Sequence, residues 1–258
     1  MPYARKRFGQ HFLHDPAAIA QILEAIDARP GEALVEIGPG RGALTAQLLA
    51  AAGALDAVEI DRDLAAALRT TWAHRAEFML HEADALQFDF AALAQARGRP
   101  LRVVGNLPYN ISTPLLFHLL RTPAALQDLH VMLQREVVER ICAAPGGRDY
   151  GRLTVMLAPW VEAESLFDVG PGAFRPPPQI WSSVARLRVR RQPAFAVDAR
   201  YGRVVAAAFA QRRKTLRNAL RTLLDSGAIE ACGIDPGVRP ETLAPAQFGA
   251  LAQLLPSG

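Results

Sequence analysis

The sequence predicts an α/β protein with a parallel sheet covered by helices on both faces, followed by a small all-helical domain. Three observations lead there. Short apolar runs alternate with helical stretches as far as Pro145-Gly146-Gly147, the rhythm then changes to hairpin-like strands, and from Tyr201 onward only helical spacing is left. Strand and helix alternating at this pitch is the pattern of parallel crossover units. With 258 residues, 50% of them hydrophobic, the chain can bury a substantial core, and global disorder is excluded.

The elements follow in order. Asp15-Pro16 reads as an N-cap with proline at the first helical position, and Ile19, Ile22, Leu23 and Ile26 continue at helical spacing, so a helix is expected over 16–27. Strands are expected at Ala33–Ile37, Ala57–Ile60, Phe78–His81, Leu101–Gly105 and Leu129–Leu133, with helices near 43–51, 62–71, 91–96, 113–120 and 135–143 between and after them. Ser112-Thr113-Pro114 marks one of these helix starts. Antiparallel edge strands are expected around Leu153–Leu157, Ser165–Val169 and Ser183–Val189. The last segment carries Val204, Val205, Ala208 and Phe209, then Leu216, Leu220, Leu223 and Leu224. No internal repeat or low-complexity tract interrupts this order.

Composition excludes several classes. No run of about 18 apolar residues occurs, and the first residues lack an apolar signal core, so a soluble cytoplasmic protein without membrane contact is expected. Cys142 and Cys232 lie far apart without ligand spacing, and the six histidines form no zinc-type pair, so no metal is expected. A monomer is expected. The net charge of +4 is unevenly spread: residues 186–221 carry eleven basic side chains against one acid, Asp198. That segment fits either a polyanion-binding surface, where phosphate contacts release counterions, or a solvated arginine-rich face.

Four strand ends carry the chemistry. Glu36-Ile37-Gly38-Pro39-Gly40-Arg41-Gly42 places a glycine-rich turn between a strand and a helix, either as a plain structural turn or as a close approach to a nucleotide-like ligand. The spacing departs from the dinucleotide pattern, and Glu36 would repel a pyrophosphate. A cofactor such as S-adenosylmethionine, cationic and free of phosphate, tolerates the acid. Glu59, with Ile60 beside it, stands where a carboxylate can accept both ribose hydroxyl protons, and Asp84, with Ala85 beside it, can take the amine of an adenine. Each acid alone could be a solvated loop residue; together, at successive strand ends, they point to an adenosine cofactor. At the fourth strand end stands Asn106-Leu107-Pro108-Tyr109. An exocyclic adenine amine is a poor nucleophile because its lone pair is delocalised into the ring. A side-chain amide oxygen and a backbone carbonyl accepting its two N–H bonds would localise that pair as a methyl group arrives. Pro108 stiffens the turn, and Tyr109 offers a face for an extruded base.

The set of motifs resembles the ribosomal RNA adenine dimethyltransferases, most closely the small-subunit (16S) dimethyladenosine transferase family. The matching stretches, in order, are Arg7-Phe8-Gly9-Gln10-His11-Phe12-Leu13, the Glu36-to-Gly42 loop, Glu59, Asp84, Asn106-to-Tyr109, Gln134-Arg135-Glu136-Val137, Phe174-Arg175-Pro176-Pro177-Pro178 and Arg212-Arg213-Lys214-Thr215-Leu216-Arg217. The resemblance implies a Rossmann-like methyltransferase domain over 1–194 and a helical rRNA-binding domain over 195–258. It implies that His11 and Leu13 help hold S-adenosylmethionine, with Gly38 at its methionine end, Glu59 on the ribose, Asp84 on the adenine and Asn106 near the methyl group, and Glu36, Gly40, Ile60 and Ala85 also at the cofactor. Phe174 is implied as a second wall of the target-adenine pocket, opposite Tyr109. Arg212, Arg213, Lys214, Arg217 and Arg221 become candidates for contacting the 16S rRNA of an immature small subunit, whose two adjacent hairpin adenines are the implied targets. His11 stands where many relatives have asparagine, and Trp181 where an aspartate is common. The large-subunit rRNA adenine methyltransferases share the cofactor loop and the Asn-x-Pro-Tyr motif, but the Arg212-to-Asn218 segment and the Phe-Arg-Pro-Pro-Pro loop favour the small-subunit family. A non-catalytic nucleic-acid-binding factor would have no need of an amine-polarising turn, and a nicotinamide oxidoreductase is disfavoured by the glycine spacing.

Overall fold

The computed structural model describes residues 10–211 and 213–256. Arg7, Phe8 and Gly9 of the N-terminal motif, and Arg212, lie outside the described residues. In chain order the elements are β1 (Phe12–Leu13), α1 (Pro16–Ile26), β2 (Ala33–Ile37), α2 (Thr45–Ala52), β3 (Leu55–Glu59), α3 (Arg62–Trp72), β4 (Phe78–Glu82), α4 (Phe90–Arg97), β5 (Leu101–Asn106), α5 (Ser112–Leu119), β6 (Leu126–Gln134), α6 (Arg135–Cys142), α7 (Arg152–Leu157), β7 (Val161–Val169), β8 (Phe174–Arg175), β9 (Ser182–Val189), α8 (Ala199–Ala208), α9 (Leu216–Leu220), α10 (Ser226–Ala231) and α11 (Pro245–Gln253).

Seven strands form one sheet in the order β4-β3-β2-β5-β6-β9-β7. β4, β3, β2, β5 and β6 pair in parallel, and β9 pairs antiparallel with β6. Every residue of β2 and β3 is buried, as expected for parallel strands covered on both faces. From β2 the chain builds outward through β3 and β4, then returns to lay β5 on the other side of β2. The carboxyl ends of β2 and β5 therefore flank a topological switch point, the place where open α/β sheets open a ligand crevice.

Local chemistry sets the helix starts. The Asp15 carboxylate accepts from Ala17 N and Ala18 N at 2.8 and 3.0 Å, with Pro16 at the first helical position. Asp61 caps α3 in the same way through Asp63 N. Below the sheet's amino ends, Arg102 is 6% exposed yet fully engaged: its guanidinium donates to Asp128, to Glu32 at 2.6 Å and to the Ile26 carbonyl at 2.7 Å, tying the end of α1 to β5 and β6. A buried cation with this many acceptors is compensated; removing one partner would leave it uncompensated.

The chain divides into two compact units. One holds 1–138 and 163–189; the other holds 139–162 and 190–258, so the helical unit takes in a mid-chain excursion as well as the C-terminal residues. The excursion corrects one expectation: Leu153–Leu157 is not an edge strand but lies in helix α7. Its β-branched residues favour strands locally, but packing decides. Thr154 caps the helix by accepting from Gly151 N at 3.2 Å, and Val155 joins a cluster with Tyr201, Val204, Leu216, Leu220, Phe248 and Leu251. Tyr150 and Tyr201 complete that core by donating to the Leu243 and Val155 carbonyls at 2.7 and 2.6 Å. Among the described residues no helix is long and apolar enough to cross a membrane.

Candidate active site

A cleft at the carboxyl ends of β2, β3, β4 and β5 is lined by His11, Leu13, Glu36, Gly38, Gly40, Glu59, Ile60, Asp84, Ala85, Asn106, Leu107, Pro108 and Tyr109. All ten residues expected at the cofactor are thus brought together with the Asn-Leu-Pro-Tyr turn.

The glycine loop leaves β2 with Gly38 and Gly40 at φ of +66° and +59°, the left-handed region that glycine adopts without penalty. A Cβ on Gly40 would also press to 3.3 Å on the Phe12 ring. The loop closes onto the second acid: Glu59 accepts from Gly40 N at 3.1 Å and from Asp61 N at 2.9 Å. Burial pushes the Glu59 carboxyl up, and these backbone bonds oppose the shift. Glu36, 2% exposed, accepts from Thr45 Oγ1 at 2.7 Å, and burial raises its carboxyl to about 7 against that bond, with the neighbouring Glu59 adding to the rise. Asp84 is half-buried and accepts from Leu86 N at 2.9 Å.

The fourth strand end depends on a residue the sequence reading passed over. Gly105 precedes Asn106, and a Cβ there would collide with the Ile37 carbonyl, so only glycine lets β5 end against β2 and present Asn106 to the cleft. The Asn106 Nδ2 donates to the His11 carbonyl at 2.9 Å, and Oδ1 has no partner among the described residues. The Tyr109 ring stacks on the His11 ring, with centroids 5.6 Å apart and planes at 28°, and its hydroxyl shares a 2.7 Å hydrogen bond with Ser182 Oγ. Burial raises the Tyr109 phenol against that bond, so it stays protonated at neutral pH. The His11 Nδ1 lies 2.8 Å from the Pro176 carbonyl, which can only accept, so Nδ1 carries the proton. Gln10 Nε2 donates to Asp61 at 3.1 Å, and the Arg41 guanidinium lies 4.4 Å over the Phe12 ring. Gln10, Phe12 and Arg41 lie inside motifs named from the sequence without a role assigned to them, and Ser182 gave no signal; the Gly105 signal was a glycine closing an apolar strand.

Phe174 is not part of this group. It is 1% exposed, pairs with Leu13 in the β1–β8 ladder, and packs with Ile22, Leu34 and Met132 in the core. The ring that faces Tyr109 belongs to His11. The basic segment is also less uniform than its charge count: Arg186 pairs with Glu164, Arg190 with Glu162 and Arg200 with Asp198. Arg213, Lys214, Arg217 and Arg221 are exposed, with no ion pair among the described residues. Within the same bounds, no group of three or more His, Cys, Asp or Glu could hold a metal ion.

A family profile described as ribosomal RNA adenine dimethylase matches residues 1–256. The chain belongs to this family. The dimethylase is 54% identical to the ribosomal RNA small subunit methyltransferase A of Pseudomonas putida over 254 residues, which cover 98% of this chain and 95% of that protein. The crystal structure of the 23S rRNA methyltransferase ErmE superposes with a TM-score of 0.72 at 29% identity, covering 95% of this chain and 99% of that one. A dimethyladenosine transferase from Plasmodium falciparum shares the fold with a TM-score of 0.81 at 22% identity, over 93% of this chain and 96% of that one. The dimethylase is an S-adenosylmethionine-dependent enzyme of rRNA adenine dimethylation. Its cleft suits that cofactor: three acids surround the glycine loop, and the one arginine lining it is drawn over Phe12. Such a set would repel a pyrophosphate and attract a sulfonium and an ammonium.

Proposed function

We propose that the dimethylase methylates the N6 amines of two adjacent adenines in a hairpin of small-subunit rRNA, each to N6,N6-dimethyladenosine, on the immature small subunit in the cytoplasm. The observation that carries this reading is the state of Asn106: its amide nitrogen is committed to the His11 carbonyl, which turns Oδ1 outward as an acceptor at the cleft. S-adenosylmethionine supplies an electrophilic methyl group. In the first transfer Asn106 Oδ1 and a carbonyl of the Leu107-Pro108 turn would accept the two N–H bonds of the adenine amine, and in the second one of them would accept the single N–H left. These bonds strengthen as the nitrogen pyramidalises, and after each transfer the methylated nitrogen releases one proton to solvent. Tyr109, backed on one face by His11, holds the extruded base by stacking. Glu59 would accept the ribose hydroxyls and Asp84 the adenine amine of the cofactor, and Glu36 lines the same cleft. Phe174 supports the β1 strand from behind. The exposed Arg213, Lys214, Arg217 and Arg221, with Arg212, contact rRNA phosphates. The small-subunit substrate is supported by 54% identity to a small-subunit enzyme against 29% to a large-subunit one.

The test supplies tritiated S-adenosylmethionine with unmodified small subunits, large subunits and the bare rRNAs, then maps labelled adenines. Label on two neighbouring adenines of the small-subunit rRNA is the expected outcome; label confined to large-subunit rRNA refutes the reading.

A further inference from the structure

The segment between β8 and β9, Pro176-Pro177-Pro178-Gln179-Ile180-Trp181, is tied at both ends to the aromatic pair of the cleft. The Pro176 carbonyl holds the His11 ring, and Ser182, next after Trp181, holds the Tyr109 hydroxyl. Ser182 and Ser183 are 0% and 1% exposed, yet Trp181 is 52% exposed and Ile180 44%, making the indole the most exposed large apolar side chain among the described residues. A lone exposed apolar residue needs no explanation, but two in succession beside a binding cleft mark an interaction surface. The ring is also held in place. Its carbonyl accepts from Arg135 N at 3.0 Å, and one edge of the indole lies against Gly170, where even an added Cβ would sit 3.5 Å from the ring. Six residues earlier in the chain Arg175 is exposed, while the Arg135 side chain is engaged with Asp168 at 3.4 Å.

We propose that Trp181 is the stacking platform for the unpaired nucleobase next to the target adenine. The inference rests on the rRNA adenine reading above. Moving an adenine out of its stack toward Tyr109 strips its neighbour of one π-face partner. A fixed indole one residue beyond the Tyr109 tether replaces that partner, and any base can use it because every base has a π-face. Trp181 touches neither the amine nor the cofactor. It is a positioning residue, and its loss is read in substrate affinity and not in the chemical step.

The experiment compares the parent with Trp181→Ala and Trp181→Phe, using small-subunit hairpin RNAs that carry 2-aminopurine on the 5′ or the 3′ side of the target adenines. In the parent, the fluorescence of one of the two probes is quenched on binding. Trp181→Ala abolishes the quench and raises KM for the RNA by roughly 5- to 100-fold, the range of one base–aromatic stack, with kcat and S-adenosylmethionine affinity within about twofold. Trp181→Phe restores most of both signals. Unchanged KM and quench in Trp181→Ala overturn the proposal, and so does a loss confined to kcat. The fluorescence reports binding alone, so it decides the role of Trp181 even if the parent fails to methylate this RNA, a result that would count against the function reading instead.

Discussion

In the sheet unit the charges lining the cleft include acids withdrawn from water, Glu36 at 2% and Glu59 at 4% exposure; the helical unit carries cations left in it, Arg213, Lys214, Arg217 and Arg221. The two settings make different demands. A buried carboxylate is held by one or two short bonds in a low dielectric, so each works individually and a small displacement is felt. Exposed cations act through a screened field, so they add up, substitute for one another and answer to salt. The cleft should therefore respond to single substitutions and the helical unit only to several.

The largest effect is expected where chemistry and geometry meet. Asn106→Ala removes the unpartnered Oδ1, and the single-turnover methylation rate should fall by roughly 10²-fold or more, by analogy with losing one oxyanion-hole group; a parental rate in rapid quench would end the amine-polarisation account. Next comes Glu59→Ala, which takes away the ribose acceptor and also the anchor of Gly40 N. Cofactor affinity measured by calorimetry should weaken by about 1–3 kcal/mol, with RNA affinity kept.

Replacing Arg213, Lys214 and Arg217 together by glutamine should lower rRNA affinity and flatten its salt dependence by about two to three units of log–log slope, without changing cofactor affinity. If any single replacement does as much as all three, the cations are not acting collectively and the contrast between the units fails. The smallest effect concerns Glu36. Its carboxyl is raised by burial from 4.5 to about 7, so its stabilising contribution is fully present below about 4.5 and is lost as the pH rises through 7. The Tm of Glu36→Gln should gain on the parent across that window, and a constant difference from pH 4 to 8 would place the carboxyl in water.

Much of this contrast was legible in the sequence, because it rests on short-range signals. β2 was read over its observed residues from an apolar run between turn residues, and α1 from the Asp15-Pro16 cap. The cofactor side of the cleft followed from acids at successive strand ends, since a parallel sheet places those ends side by side. What could not be read is non-local. α7 carries a strand-like run and becomes a helix because Val155 finds a helical core. The resemblance implies Phe174 as a wall of the target-adenine pocket, yet its backbone pairs with Leu13 and its ring packs in the core. No spacing rule announces that the His11 carbonyl orients Asn106, or that its ring covers Tyr109.

That last pairing bears on when a newly made chain becomes competent. β1 is two residues long, and among the described residues its only ladder is to β8; the His11 ring reaches a carbonyl 165 positions later in the chain. Until β8 has been synthesised and docked, the carbonyl that turns the Asn106 amide lacks the ladder and the His11 ring anchor that fix its strand. Contacts this distant in sequence form late, because the loop they close must be ordered first. The parallel strands can pair earlier, from nearer neighbours, without giving a working amide. The working amide is thus expected among the later products of folding.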